Sequence, residues 1–260
     1  MSEQRIKSEC VGHVGVLSFN RPEVHNAMDD QGQGEMLEAF LAFSDDLDVR
    51  AIVIRGEGKS FHAGRDTRVL GQRDPKDSDF NFVKRAQKLQ HAFLDCSKPI
   101  IAALKGACIG GGFEIGLMAD MRVAGHSAKM RLPEILYGIV TDMGGTQTLR
   151  TMIGKSRAKY YLMTGDIITG QQAFDWGIAD WLVEDDQVDA KAMEIAEKIA
   201  ANSPQAVQMF KHLVDQADYG VIKNGLRQEL TSICTMFKSE DYKEARQALA
   251  EKRNPVFIGK

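Results

Sequence analysis

Two apolar runs, Ala51–Ile54 and Ile100–Leu104, each lead into a short glycine-bearing turn, and this pairing constrains the chain most. The first turn reads Ser60-Phe61-His62-Ala63-Gly64-Arg65-Asp66. The second reads Lys105-Gly106-Ala107-Cys108-Ile109-Gly110-Gly111-Gly112-Phe113-Glu114. Short continuous apolar runs bounded by turn residues predict strands of the buried type. Glycine lets a ligand approach the main chain closely, and the first N–H groups of a helix have no internal partner. Two such donors aimed at one point hold a negatively charged oxygen, so the pair points to a reaction passing through an enolate or another oxyanion.

The remaining pattern is α/β. Val14–Phe19, Met121–Ala124 and Ala128–Leu132 read as further strands. Asp29 or Asp30 caps a helix whose apolar positions Met36, Leu37, Phe40, Leu41 and Phe43 fall at helical spacing. One helix is predicted from Phe80 to Asp95, ending before Pro99. The polar stretch from Arg68 to Ser78, with Gly71 and Pro75, reads as a loop. Phe113–Ala119 reads as a short helix, and the glycine-flanked stretch Gly138–Gly145 opens another. From Val188 onward the pattern is helical, with Pro204 as a start signal. The division expected is an α/β core over residues 1–195 and a helical region over 196–260.

Composition removes several function classes. Net charge is −3 with acidic and basic residues well mixed, so neither a nucleic-acid groove nor a polybasic membrane face is expected. No apolar run approaches membrane-spanning length, and no signal core follows Met1. The four cysteines are scattered without a CxxC pair; a metal site or disulfide framework is not expected, and a soluble protein of a reducing cytoplasm is. Gly58-Lys59-Ser60 lacks the glycine that a phosphate-binding loop needs at position 53, which is Val53. No GxGxxG or GxSxG is present, so nicotinamide and serine-nucleophile chemistry have no support.

Three acids sit among apolar neighbours beside the glycine turns: Glu114, Glu134 and Asp142. Each alone reads equally as a helix cap or a solvated edge. Together they fit proton transfer beside a thioester carbonyl, which needs one ionised carboxylate and one protonated carboxyl. Neighbouring acids in a dry site divide into those two states. His25 and His62 have no partner in sequence and read as surface or structural residues.

In that order along the chain, these segments resemble the crotonase (enoyl-CoA hydratase/isomerase) family nearly end to end. Asn20-Arg21-Pro22-Glu23 with Asn26-Ala27, Phe61–Asp66, Gly106–Glu114, Pro133-Glu134-Ile135 with Gly144-Gly145-Thr146-Gln147, Ser203–Val207 and Glu251–Phe257 carry the likeness. The resemblance implies a spiral of ββα repeats with a C-terminal helical trimerisation module. A homotrimer or dimer of trimers follows from it. It also implies acyl-CoA thioesters as substrates, with coenzyme A part of the substrate and no separate cofactor. Position by position, the oxyanion donors are the N–H groups of Arg65 and Gly111. Ala63, Gly64, Arg65, Asp66 and Gly111 line the CoA path. Glu114 and Glu134 match the two glutamates with which hydratases activate and deliver water, and Lys252 reaches towards a neighbouring subunit's ligand.

Three departures matter. Asp142 stands where hydratases have a glycine, and Glu134, Gly138 and Asp142 meet the Glu-x3-Gly-x3-Asp spacing of dienoyl-CoA isomerases. Arg65 replaces the usual alanine, with its N–H unchanged and its guanidinium free to meet a CoA phosphate. Leu249 replaces an expected aromatic. Hydration of a 2-enoyl-CoA is therefore the first reading and conversion of a 3,5-dienoyl-CoA to a 2,4-dienoyl-CoA the second. A non-catalytic binding protein on the same fold is the reading from another class.

Overall fold

A computed structural model describes residues 4–72 and 76–260. The expected loop from Arg68 to Ser78 is only partly covered, and Pro75 lies outside the described residues. Strands β1 (Ile6–Val11), β2 (Val14–Phe19), β3 (Ala51–Gly56), β4 (Ile100–Leu104), β6 (Met121–Gly125) and β9 (Trp181–Val183) form one sheet in the order β1-β2-β3-β4-β6-β9. Only β1 runs antiparallel to its neighbour. A smaller sheet holds β5 (Ala107–Ile109), β7 (Lys129–Arg131) and β8 (Ile168–Thr169).

Period-two alternation sends the central strands into two cores. Leu17, Phe19, Ile52, Ile54, Ile100, Ala102 and Leu104 face the larger core, which α1 (Asp30–Asp45), α3 (Lys88–Asp95) and α4 (Gly111–Met118) cover. Val14, Val16, Ala51, Val53, Ile101 and Ala103 face Val188, Ala192, Ile195 and Ala196 of α7 (Val188–Ala200). Each Val, Leu, Ile or Phe side chain fully buried in this way contributes about 1.5–3 kcal/mol, which is why the strand runs are apolar on both faces.

The chain alternates between the sheets. β4 passes to β5 and then α4; β6 passes to β7 and then α5 (Gly145–Thr164). A parallel bridge between His62 and Cys108 adds the segment after β3 to the smaller layer. This is the expected ββα progression. Its consequence is that the two glycine turns lie side by side.

Several local expectations hold and others are corrected. Asp29 is the cap of α1, its side chain accepting the Gly32 N–H at 2.9 Å, and Asp30 is the first helical residue. The single helix expected over 80–95 is two, α2 (Asp79–Ala86) and α3, meeting at Gln87. Gln87 is buried, and its side-chain amide donates to the carbonyls of Asp142 and Leu226 at 2.7 Å each. The second turn contains β5, a strand too short and too glycine-flanked to show a pattern of its own. α8 (Pro204–Met236) is one continuous helix that opens at Pro204, and α9 (Glu240–Glu251) follows. Residue 195 lies within α7, which packs on the sheet, so the helices that stand off the sheet begin with α8. Among the described residues no helix is long and apolar enough to cross a membrane.

Candidate active site

The two glycine turns are bound to each other by backbone hydrogen bonds. The His62 N–H donates to Ala107 O and the Ile109 N–H to His62 O, both at 3.0 Å. Gly64 has φ +84°, and a Cβ placed on it would lie 2.6 Å from the Ile109 carbonyl oxygen. Glycine is required there both for the left-handed backbone and for the close approach. The buried Asn26 ties the first turn down from below: its side-chain amide donates to the carbonyls of Glu57, Ser60 and Phe61 at 2.7–3.1 Å.

Arg65 forms a parallel bridge with Met28, in which the Met28 N–H donates to Gly64 O and the Asp66 N–H to Met28 O. In an extended backbone successive N–H groups alternate, so the Arg65 N–H faces the other way. Gly111 is the first residue of α4, following Gly110 at φ +54°, and its N–H has no intrahelical partner. Among the described residues neither N–H donates to a protein acceptor. Arg65 and Gly111 both line one cavity of about 390 Å³, within the range of small-molecule sites.

The acids divide around that cavity. Glu134, in the 3-10 turn Glu134–Tyr137, and Asp142 line its wall. Glu114, on α4 behind Gly111, does not line it and is 1% exposed. Its Oε1 accepts the N–H groups of Met143 (3.0 Å) and Gly145 (2.8 Å) at the entry to α5. Glu114 Oε2 and Glu134 Oε2 are buried without a hydrogen-bond partner among the described residues. Such orphaned acceptors mark a place prepared for something outside the chain.

Burial pushes the Glu134 carboxyl up to about 8, and the negative charges of Asp142 and Glu229 push the same way. Burial also raises Glu114 well above the usual carboxylate range, reinforced by Glu134, Glu229 and Asp142. The acids act on one another, so the cluster keeps at least one proton at neutral pH. A protonated and an ionised carboxyl next to free N–H donors can move protons at carbon beside a carbonyl whose oxygen those donors hold.

The other residues selected from the sequence divide between the cavity wall and its surroundings. Ala63 and Gly64 line the cavity. Asp66 lies outside its wall, buried against Arg21 and Arg68, whose guanidinium groups hold its carboxyl well below the usual range. The Arg65 guanidinium is 2.5 Å from Asp30 and sits over the Phe82 ring at 5.2 Å. His62 is buried, accepts the Gly64 N–H at 3.1 Å and is neutral, burial lowering it to about 4. The exposed His25 pairs through Nδ1 with the Ser60 hydroxyl at 2.9 Å. Lys252 ends α9 in a left-handed conformation and is exposed.

One acid escaped the sequence reading. Glu229 on α8 is buried, with Oε2 accepting the Gly144 N–H at 2.7 Å and Oε1 accepting the Thr146 N–H at 2.9 Å. Burial raises its carboxyl, while donors from Thr146, Gly144 and Thr141 oppose the shift. Its signal was a charge inside the apolar stripe Leu226, Leu230 and Ile233.

Comparison with known proteins agrees with this geometry. The enoyl-CoA hydratase/isomerase family profile matches residues 9–260. A probable mitochondrial enoyl-CoA hydratase of Dictyostelium discoideum is 35% identical over 97% of this chain and 90% of its own. A carnitinyl-CoA dehydratase of Salmonella enteritidis is 33% identical over 96% of both chains. The crystal structure of an enoyl-CoA hydratase/isomerase from Pseudoalteromonas atlantica superposes with a TM-score of 0.89 at 25% identity, covering 98% of this chain and 100% of that one. With the paired glycine turns, the acid cluster and a match across almost its whole length, the chain belongs to the enoyl-CoA hydratase/isomerase (crotonase) family.

Proposed function

We propose that the protein adds water to a 2-enoyl-CoA. The N–H groups of Arg65 and Gly111 receive the thioester oxygen and stabilise the enolate that forms when a hydroxyl adds to the β-carbon. Glu114 and Glu134 share one proton: one carboxylate takes a proton from the attacking water, and a carboxyl returns one to the α-carbon. Coenzyme A enters as part of the substrate, past Ala63 and Gly64, and the chemistry needs no further group. The observation that carries this reading is one cavity lined by Glu134 and by two N–H donors, with Glu114 behind its wall; among the described residues the donors have no protein acceptor and the Oε2 atoms of both acids have no donor. The relatives named as hydratase and as dehydratase point the same way, since adding and removing water use the same groups.

A second reading rests on a separate observation. Glu134 and Asp142 line the cavity while Glu114 lies behind it, which suits double-bond isomerisation of a 3,5-dienoyl-CoA by those two acids. Incubation with crotonyl-CoA and with a 3,5-dienoyl-CoA separates the readings. Hydration removes the enoyl-thioester absorbance; isomerisation creates that of a conjugated 2,4-dienoyl thioester. Turnover of crotonyl-CoA is the expected result. Thioester binding without turnover of either substrate would make the protein a binding module on this fold.

The proposal includes a trimer or dimer of trimers built through the C-terminal helices, supported by the exposed Met209, Phe210, Leu213 and Val214 on α8. Light scattering at the trimer or hexamer mass is expected. A cytoplasmic setting accords with four cysteines that form no disulfide.

A further inference from the structure

We propose that Glu229 is a positioning residue: from α8 it grips the backbone at the start of α5 opposite Glu114, and so holds the Asp142–Met143 edge of the cavity in place. The inference rests on the reading of that cavity as the active site. Four consecutive amides carry it. Those of Met143 and Gly145 donate to Glu114, and those of Gly144 and Thr146 donate to Glu229. Two carboxylates from distant helices thus take alternate N–H groups of one stretch, and that stretch cannot slide without breaking both sets.

Hydroxyl donors complete the grip, from Thr141 at 3.3 Å and from Thr146. Both oxygens of Glu229 accept a backbone N–H, a pattern that an ionised carboxylate satisfies and a carboxamide cannot. α8 is also seated closely enough to impose it. A Cβ on Gly225 would run into the Gln147 side chain, and Gln87 joins the Asp142 and Leu226 carbonyls. The charge of Glu229 acts on Glu114 of α4 and on Glu134 of its 3-10 turn, as does that of Asp142 from the loop, and it raises both carboxyls. Removing the Glu229 charge therefore eases loss of the proton from Glu134.

The test compares wild type with Glu229→Gln by amide hydrogen exchange over residues 141–147 and by crotonyl-CoA kinetics across pH. In the variant, exchange of amides 143–146 is expected to quicken at least tenfold. kcat is expected to fall about 30-fold or more with KM within threefold, and the alkaline limb of the kcat profile to move to lower pH. Glu229→Asp keeps the charge and restores the limb without restoring kcat. Wild-type exchange with kcat within twofold in Glu229→Gln would overturn the inference. Should Glu229→Gln not fold, Thr146→Val removes one hydroxyl donor: a three- to tenfold loss of kcat supports the role, and unchanged kcat and exchange overturn it. Should the wild type turn over neither thioester, the reading of the cavity fails by itself, and the exchange comparison alone decides the role of Glu229.

Discussion

Glu114 on α4 and Glu134 on the 3-10 turn stand on different elements, and each keeps one buried carboxylate oxygen without a partner among the described residues. Glu114 is anchored through its other oxygen to two amides, whereas Glu134 Oε1 lies 3.1 Å from where a Cβ of Gly110 would stand. One acid is fixed by the scaffold, and the other is poised at the cavity wall.

Replacing Glu134 by Gln keeps its shape and removes its exchangeable proton. Steady-state kinetics on crotonyl-CoA should show kcat reduced about 10³-fold, as for loss of a general acid–base group, with KM changed only a few-fold. Activity within tenfold of wild type would remove Glu134 from the chemistry.

The raised Glu134 carboxyl also makes a stability prediction. Its folded value of about 8 lies above the unfolded value of 4.5, so between these limits the folded state binds more protons than the unfolded state. Stability is then fully present below about pH 4.5 and is lost as pH rises towards 8, by an amount of order a few kcal/mol. Denaturant titrations at pH 5 and pH 8 should show this loss, and Glu134→Gln should flatten it. Equal slopes in the two proteins would contradict the shift.

Gly64→Ala places a methyl group in a left-handed backbone and against the Ile109 carbonyl. A loss of about 1–3 kcal/mol is expected, with kcat/KM down more than tenfold because the Arg65 N–H moves with it. Gly154→Ala is the control. It has φ +78° with nothing within 4 Å of the added carbon, so it should lose about 1 kcal/mol and keep its activity.

Asp142→Gly distinguishes the two readings of the site. Hydration of crotonyl-CoA should persist or rise, since glycine is the residue that resembles hydratases at this position. Any isomerisation of a 3,5-dienoyl-CoA should fall about 100-fold through loss of a proton carrier. Wild-type rates for both reactions would discard the account of Asp142.

What could be read in the sequence was local. β2, β3 and β4 announce themselves by apolar runs, α1 by its Asp29 cap, and the two turns by glycines that the backbone needs at Gly64 and Gly110. What stayed hidden depends on distant partners. Gln87 breaks a helix where local propensity would continue it, and its side chain bonds to residues of α8 and of the loop before α5. Glu229 shows in the sequence only as a charge within an apolar stripe, and what it holds emerges once α8 is laid against the start of α5. Asp66 matches the family's motif, yet it bonds to two arginines and leaves the cavity wall to Arg65.

Two amides meeting at one oxygen are the centre of the proposed chemistry, and a crystal structure with acetoacetyl-CoA bound tests that directly. The thioester oxygen should lie about 2.7–3.2 Å from the backbone nitrogens of both Arg65 and Gly111, with the α-carbon beside Glu134. A thioester oxygen bound elsewhere, or within reach of only one of the two nitrogens, would contradict it.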